Sequence, residues 1–428
     1  MHVPDGYLAP VFSLGMGVLT VPSWVVATRR VQKELSQRSV PLLAIFSAFS
    51  FTIMMFNVPV PGGTTAHGVG GTLAAIILGP SAAIITVSVA LIIQALFFGD
   101  GGILAIFANC FNMAVLLPIT GYFTYRLIAG NSPLLSTRRA WAAGIGGYLG
   151  ITVAALAVGI ELGLQPVLFS DNGQPLYSPY GLNAAVPAML IAHMFGASLV
   201  EGIITGFGFA YMQQHHPDYL TSLKRFVAGD VEVATGETRS RPTWQLIAGG
   251  LVALAAAFVI AGWIAGGGDW SQWFGADWSS VDWASVATML LVVGVLAAIT
   301  IPLAWFFLPR QIRSVGTAYI AAAMLAPLGL IAPGFAYGEG GADDLEKELG
   351  YLPEGLQSLA DFFSAPFKDY NLPLPFFDSA DAPLWHTALG YEIAGILGML
   401  LIGVVLWGIG ALLFRSEPVA RSSGSAVT

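Results

Sequence analysis

Charge is what this sequence has least of. Only 10% of its 428 residues are Asp, Glu, Lys or Arg, against roughly 25% in a soluble domain. That is too little to coat a water-facing surface, which excludes a soluble globular protein. Cysteine is all but missing. Cys110 stands alone, so neither a disulfide framework nor a thiolate metal site is expected. No basic residue precedes Arg29. The first apolar run ends at Arg29-Arg30 rather than at a small-residue cleavage site, so no secretory leader is expected. None of Lys33, Lys224, Lys347 or Lys368 sits in a G-x-x-x-x-G-K-[ST] context, so no ATP site is expected in this chain. No nucleic-acid module is visible either.

Apolar residues are what is there, at 56% of the chain. Stretches of about 20 such residues recur, the length a helix needs to cross a hydrocarbon core. In lipid, backbone polar groups must be paired internally, which leaves helices or a closed barrel. Barrel strands alternate apolar and polar residues; runs such as Ala248 to Ala265 do not. An all-α polytopic membrane protein is expected. Eleven segments are predicted, at 9–28, 40–58, 68–79, 81–98, 103–126, 140–163, 183–212, 244–264, 285–307, 315–333 and 388–414. The third is too short to span, and reads as a half-helix behind a Pro/Gly-rich loop.

Lys and Arg stay on the cytoplasmic side of an inner (plasma) membrane. With Met1 outside and Thr428 in the cytoplasm, all 17 basic residues except Lys347 and Lys368 fall inside. Most of the 25 acidic residues then lie outside, where they attract cations. Acids are also free to collect there once bases are held inside. Residues 228–242, rich in Gly, Glu, Thr and Arg, are the expected cytoplasmic linker between a first part, 1–227, and a second, 243–428. The second part has two outer loops. Residues 266–284 carry Trp270, Trp273, Trp278 and Trp283, which suit a membrane–water interface. Residues 334–386 are acidic, Pro-rich and aromatic, with the composition of a small cap.

The chain opens Met1-His2-Val3-Pro4-Asp5-Gly6-Tyr7-Leu8. Met1 is expected to be retained, because His2 is not small. A free amine beside a histidine is a chelator. The amine and the His2 backbone nitrogen close a five-membered ring on a metal; that nitrogen and Nδ1 of His2 close a six-membered one. The amide must lose its proton, which takes a strongly polarising ion. Ni(II) and Cu(II) manage this and favour a flat square of nitrogens. Three corners are filled. The bland alternative is an accidental histidine on an exposed terminus. The second motif is Pro59-Val60-Pro61-Gly62-Gly63-Thr64-Thr65-Ala66-His67-Gly68-Val69-Gly70-Gly71. Two prolines and five glycines cannot continue a helix, and irregular backbone at membrane depth lines a cavity or is buried in protein. His67 is then the candidate fourth corner, through Nε2. A structural histidine bonded to a backbone carbonyl is the other reading.

Together these residues resemble the CbiM/NikM family, the membrane-embedded substrate-binding components of energy-coupling-factor transporters for cobalt and nickel. MHVPDGYLAP is similar to the family's N-terminal motif and PGGTTAHGVGGTLAAIILGP to its histidine loop. GDGGILAIFANCFNMAV and HMFGASLVEGIITG are similar to two further segments. The match covers about residues 1–212. The resemblance implies a seven-helix bundle with the N-terminus tucked into its outer mouth. It implies metal ligands at Met1, His2 and His67, and Ni2+ or Co2+ as transported substrate. Pro4-Asp5-Gly6 looks more like the nickel-type members. Two cytoplasmic ATPases and a transmembrane coupling protein are the implied partners. The later half resembles the family's accessory two-helix partner (NikN/PDGLE-like), fused in, with Gly341 to Glu346 similar to its acidic signature. The extra pair near 244–307 departs from that pattern.

Among the further polar residues, Gln94, Asn109, Asn112 and Glu201 have two readings each. Gln94, Asn109 and Asn112 either order the metal loop or bond helix to helix. Glu201, deep in a segment, is expected to bond a loop or helix end, or to be protonated. His193 is expected to line the bundle and His215 and His216 to be solvated, and His386, close to the outer interface, is a candidate for touching a metal in transit. Asp5 is expected to order its loop. Two rivals stand beside the transporter component. An ion-coupled secondary transporter needs intramembrane acids, and Glu201 is the one clearly so placed. A membrane-embedded metalloenzyme needs an open coordination position and a base, and no catalytic residue is expected here.

Overall fold

A computed structural model of the chain describes residues 1–34, 39–60, 64–217, 282–307, 326–331, 342–360, 362–377 and 383–413, with single positions 220, 317, 320, 323 and 324. The helices in chain order are α1 (Pro10–Glu34), α2 (Val40–Met55), α3 (Gly71–Leu78), α4 (Pro80–Phe98), α5 (Ile106–Ala129), α6 (Thr137–Leu168) and α7 (Leu182–His215). They continue with α8 (Trp283–Phe307), α9 (Ala342–Leu349), α10 (Glu354–Ala360) and α11 (Leu384–Leu413). Among the described residues, α1, α4, α5, α6, α7, α8 and α11 are long and apolar enough to cross a membrane. The protein is an all-α polytopic membrane protein.

The first seven expected segments each appear as a helix. The expected half-helix is α3, eight residues between Gly70 and Gly79, and all of it is buried. The linker at 228–242, the segment at 244–264, nine residues of 315–333 and most of the Trp-rich loop lie outside the described residues.

Packing follows from which faces are small. Helix α1 buries Ser13, Thr20, Ala27 and Val31, one narrow stripe, while Val11, Leu14 and Val18 face outward to lipid. Thr20 donates to the Phe107 carbonyl at 2.8 Å and Trp24 to Ser88 at 2.8 Å, which ties α1 to α5 and α4. Helix α6 packs along α5 and α7 through a glycine seam. At Gly147 a Cβ would stand 2.8 Å from the Glu201 carbonyl oxygen, so only glycine allows the backbones so close.

Helices α4, α5 and α7 each contain a wider π turn, at Gln94–Phe98, Cys110–Leu116 and His193–Ala197. Two antiparallel hairpins interrupt the helices. Strands β1 (Val58–Val60) and β2 (Thr64–Ala66) pair Val58 with Ala66. Strands β3 (Ser170–Asp171) and β4 (Gln174–Pro175) turn at Asn172-Gly173, both with positive φ, the usual chemistry of a two-residue hairpin.

The C-terminal half returns to the first bundle and shares its core. Leu356, Tyr370, Tyr391, Ile402 and Leu406 belong to the same buried cluster as α2 to α7. The Leu356 N–H donates to Leu176 at 3.0 Å and the Phe367 N–H to Phe97 at 2.9 Å. Helix α11 lies along α2, with the Tyr391 hydroxyl on the Met55 carbonyl at 2.6 Å.

Candidate metal centre

Residues 1–9 run inside the bundle mouth rather than over it. Met1, His2 and Val3 are buried at 2%, 3% and 1% exposure. Backbone this deep must have partners. The Val3 N–H donates to Asn109 Oδ1 at 2.9 Å, and its carbonyl accepts from Asn109 Nδ2 at 3.0 Å and from the Gly102 N–H at 2.8 Å. The Ala9 N–H donates to Gln165 Oε1 at 3.0 Å, and the Ser178 N–H donates to the Tyr7 carbonyl at 3.0 Å. Asp5 accepts the N–H groups of Ile103 and Leu104 at 3.2 and 2.8 Å. It orders its loop, as its place in the motif suggested. Burial pushes the Asp5 carboxyl above its ordinary range, and those N–H groups pull it back. Gly102 must be glycine: a Cβ there would run into the Asp5 backbone nitrogen and carboxylate.

His67 follows β2 on four residues of irregular backbone that lead into α3. Glu201 on α7 pins them. Its Oε2 accepts the N–H groups of Val69 and Gly70, each at 2.7 Å, and Oε1 faces the Thr72 N–H at 3.4 Å. These are the orphan donors at the start of α3, so a buried carboxylate fits them. Ser50 adds a bond to the Val69 carbonyl at 2.7 Å. The Nδ1 of His67 lies 3.0 Å from the Gly68 carbonyl and can only donate to it. That fixes the tautomer and leaves Nε2 a bare acceptor, buried with no hydrogen-bond partner. One nitrogen of His67 is structural, as the second reading of this residue has it, and the other makes no hydrogen bond.

The structure brings His2 and His67 together. Their ring centroids are 4.8 Å apart and the planes 30° from parallel. The terminal amine and His2 both lie close enough to act electrostatically on His67. His193 is buried on the Met189 carbonyl at 2.8 Å, lining the bundle. Asn109 orders the N-terminal segment, whereas Asn112 bonds Glu161 on α6 at 2.9 Å and joins helices. His386 stacks on Phe376 with its Nδ1 on the Phe376 carbonyl at 2.9 Å, away from the two histidines' contacts.

Two residues at the site escaped the sequence reading. Asp100 Oδ1 lies 3.0 Å from Nδ1 of His2. Its signal was visible: one acid among three glycines, Gly99, Gly101 and Gly102. Tyr370, whose hydroxyl donates to Asp100 Oδ2 at 2.6 Å, carried none.

Residues 2–219 match the family model described as CbiM, cobalt uptake substrate-specific transmembrane region. The chain belongs to the CbiM family. A CbiM-family relative, the fused nickel transport protein NikMN of Rhodobacter capsulatus, is 37% identical over 418 residues, 94% of this chain and 95% of that protein. The likeness to that fused protein therefore runs on through the C-terminal half. The cobalt transport protein CbiM of Lachnoclostridium phytofermentans is 35% identical over 129 residues, 30% of this chain and 52% of that protein. A crystal structure of a truncated transition metal transporter is 54% identical, covering 50% of this chain and 100% of its own, at a TM-score of 0.48. The curated CbiM-family relatives named here are transport proteins, and this member is a transport component, not an enzyme.

Proposed function

We propose that the chain is the substrate-specific component of an ATP-driven energy-coupling-factor uptake transporter. It captures a divalent transition metal at the outer face, nickel in preference to cobalt. The donors are the amine of Met1, the backbone nitrogen and Nδ1 of His2, and Nε2 of His67. One observation carries the reading: two imidazoles 65 residues apart in sequence meet in a buried mouth, and one presents a bare nitrogen.

The spacing supports shared coordination. Two imidazoles at adjacent corners of a square, each on a metal–nitrogen bond of about 2 Å, have centroids about 4.4 Å apart. Opposite corners would set them roughly 6 Å apart. The observed 4.8 Å is near the first value. Adjacency is what the chelate requires, because the Met1 amine, the His2 amide and Nδ1 take three consecutive corners. Nδ1 of His2 now faces Asp100. In this reading the ring makes half a turn about Cβ–Cγ to free Nδ1 for the ion, which puts Nε2 where Cε1 now lies, about a bond length from the place Nδ1 leaves beside Asp100. Asp100 then keeps the same ring, in the carboxylate–histidine–metal arrangement.

A flat nitrogen set favours Ni(II), and the relative aligned along nearly the whole chain is named for nickel. In this reading residues 1–227 carry the metal, 228–242 form a cytoplasmic linker, and 243–428 are the accessory part. The amino end lies outside and the carboxyl end inside, as the basic residues require. Two cytoplasmic ATPases and a transmembrane coupling protein supply the work. Glu201, the acid an ion-coupled secondary transporter would draw on, is engaged by the His67 loop instead.

The test is metal content and X-ray absorption of protein purified with its native amino end, its intact mass confirming that Met1 is retained. Stoichiometric Ni(II) in a flat nitrogen environment is expected. His67→Ala, and a tag placed before Met1, are each expected to abolish tight binding. Tight binding that survives the tag overturns the chelate.

A further inference from the structure

The metal centre as proposed lies in residues 1–227, yet a side chain from the other half reaches it. Tyr370 sits at the end of a strained turn. Asp369 and Tyr370 have φ of 54° and 60°, a left-handed backbone that a bulky L residue rarely adopts. The turn drives the Tyr370 ring into the first bundle. It stacks on Phe98 at 4.9 Å and 20°, and lies 6.0 Å from Phe51 and 5.1 Å from Tyr391.

The hydroxyl does more than fill space. It donates to Asp100 Oδ2 at 2.6 Å and accepts from Gln94 Nε2 at 2.7 Å, and Gln94 also donates to Asp100 Oδ2 at 3.1 Å. Both bonds hold one oxygen of Asp100. The other oxygen is the one 3.0 Å from His2. Burial, with Asp100 adding to it, pushes the Tyr370 phenol well above its ordinary range, so it keeps the proton it donates. Tyr391, equally buried, donates to a helix-end carbonyl instead. Of the two, Tyr370 is the one tied to the metal centre.

The geometry points to Tyr370 as a positioning residue of the metal centre, supplied by the C-terminal half. It fixes Asp100, and Asp100 orients the His2 imidazole for a divalent metal. This rests on the proposed function, which makes His2 a ligand. The fused half then completes the capture site rather than merely accompanying it.

The experiment is calorimetric titration of Ni(II) into the full chain in detergent. The wild type is compared with Tyr370→Phe, Asp100→Asn, the double variant and His67→Ala. Tyr370→Phe keeps the buried ring and removes the hydroxyl. It is expected to weaken Ni(II) binding about tenfold, the low end of what outer partners of metal ligands contribute. If Tyr370 acts through Asp100, the double variant binds no more weakly than Asp100→Asn alone. A packing role would multiply the two losses. Unchanged affinity in Tyr370→Phe, or multiplied losses, overturns the proposal while leaving the metal centre standing. A wild type that holds no nickel, or a His67→Ala variant that holds it equally well, overturns the metal centre and the Tyr370 role with it.

Discussion

Asn109 gives residue 3 of the chain what a neighbouring strand would give. One side chain satisfies both the N–H and the carbonyl of Val3. Asn112, close to one turn further along α5, spends its amide on Glu161 and holds two helices together. The residue type is the same, and the helix face decides the role. Asn109→Ala would leave the buried Val3 N–H without its partner and the Val3 carbonyl with the Gly102 N–H alone, and residues 1–3 would lose their register against His67. Ni(II) affinity is expected to fall about 10–100-fold, read by titration, with helix content by circular dichroism unchanged. Asn112→Ala is expected to lower the unfolding temperature with the smaller effect on affinity.

At the scale of elements, the site is made by helices that stop or widen. Helix α3 begins at the His67 loop and ends after eight residues, leaving its first N–H groups for Glu201. The π turns of α4 and α7 begin at Gln94 and His193, and that of α5 contains Asn112. Such turns often mark functional positions, because they re-aim a side chain within a helix. The segment between α4 and α5 must also leave room for residues 1–9, and Gly102 is where they touch. Gly102→Ala is expected to expel residues 1–5 from the mouth while the helices still form. Nickel binding should then be lost with little change in helix content. Proteolysis near the amino end, silent in the wild type, should appear in the variant.

At the scale of the whole molecule, the C-terminal half is held to the first by α11 against α2. Gly398 lies against the Phe51 ring, where a Cβ would overlap it. Phe51 in turn lies 6.0 Å from Tyr370, so this contact helps place the turn that reaches Asp100. Gly398→Leu would overpack the seam, at a cost of about 1–3 kcal/mol. Hydrogen exchange in residues 362–377 is expected to rise. Nickel affinity is expected to fall to about the level of Tyr370→Phe. Full affinity in Gly398→Leu with raised exchange would show that the segment's attachment does not reach the metal.

The amino-acid sequence by itself determined the solvent, the helices and the two histidine motifs. Low charge and apolar runs of membrane length are properties of composition, and need no contact map. The chelate proposed for Met1 and His2 is likewise a reading of sequence, because its rings close over covalent neighbours. Even the half-helix was readable, since two prolines and five glycines just before the six apolar residues Leu73 to Leu78 leave few choices. Only the tertiary structure decided which buried polar groups serve the site. It set Asn109 on the N-terminal segment and Asn112 on a neighbouring helix. It turned Glu201 to the His67 loop, and it brought Tyr370 to Asp100 across 270 residues. Nothing local selects among those partners. A buried polar group takes whichever partner the packing of distant helices puts within about 3 Å, and that packing is a property of the whole chain.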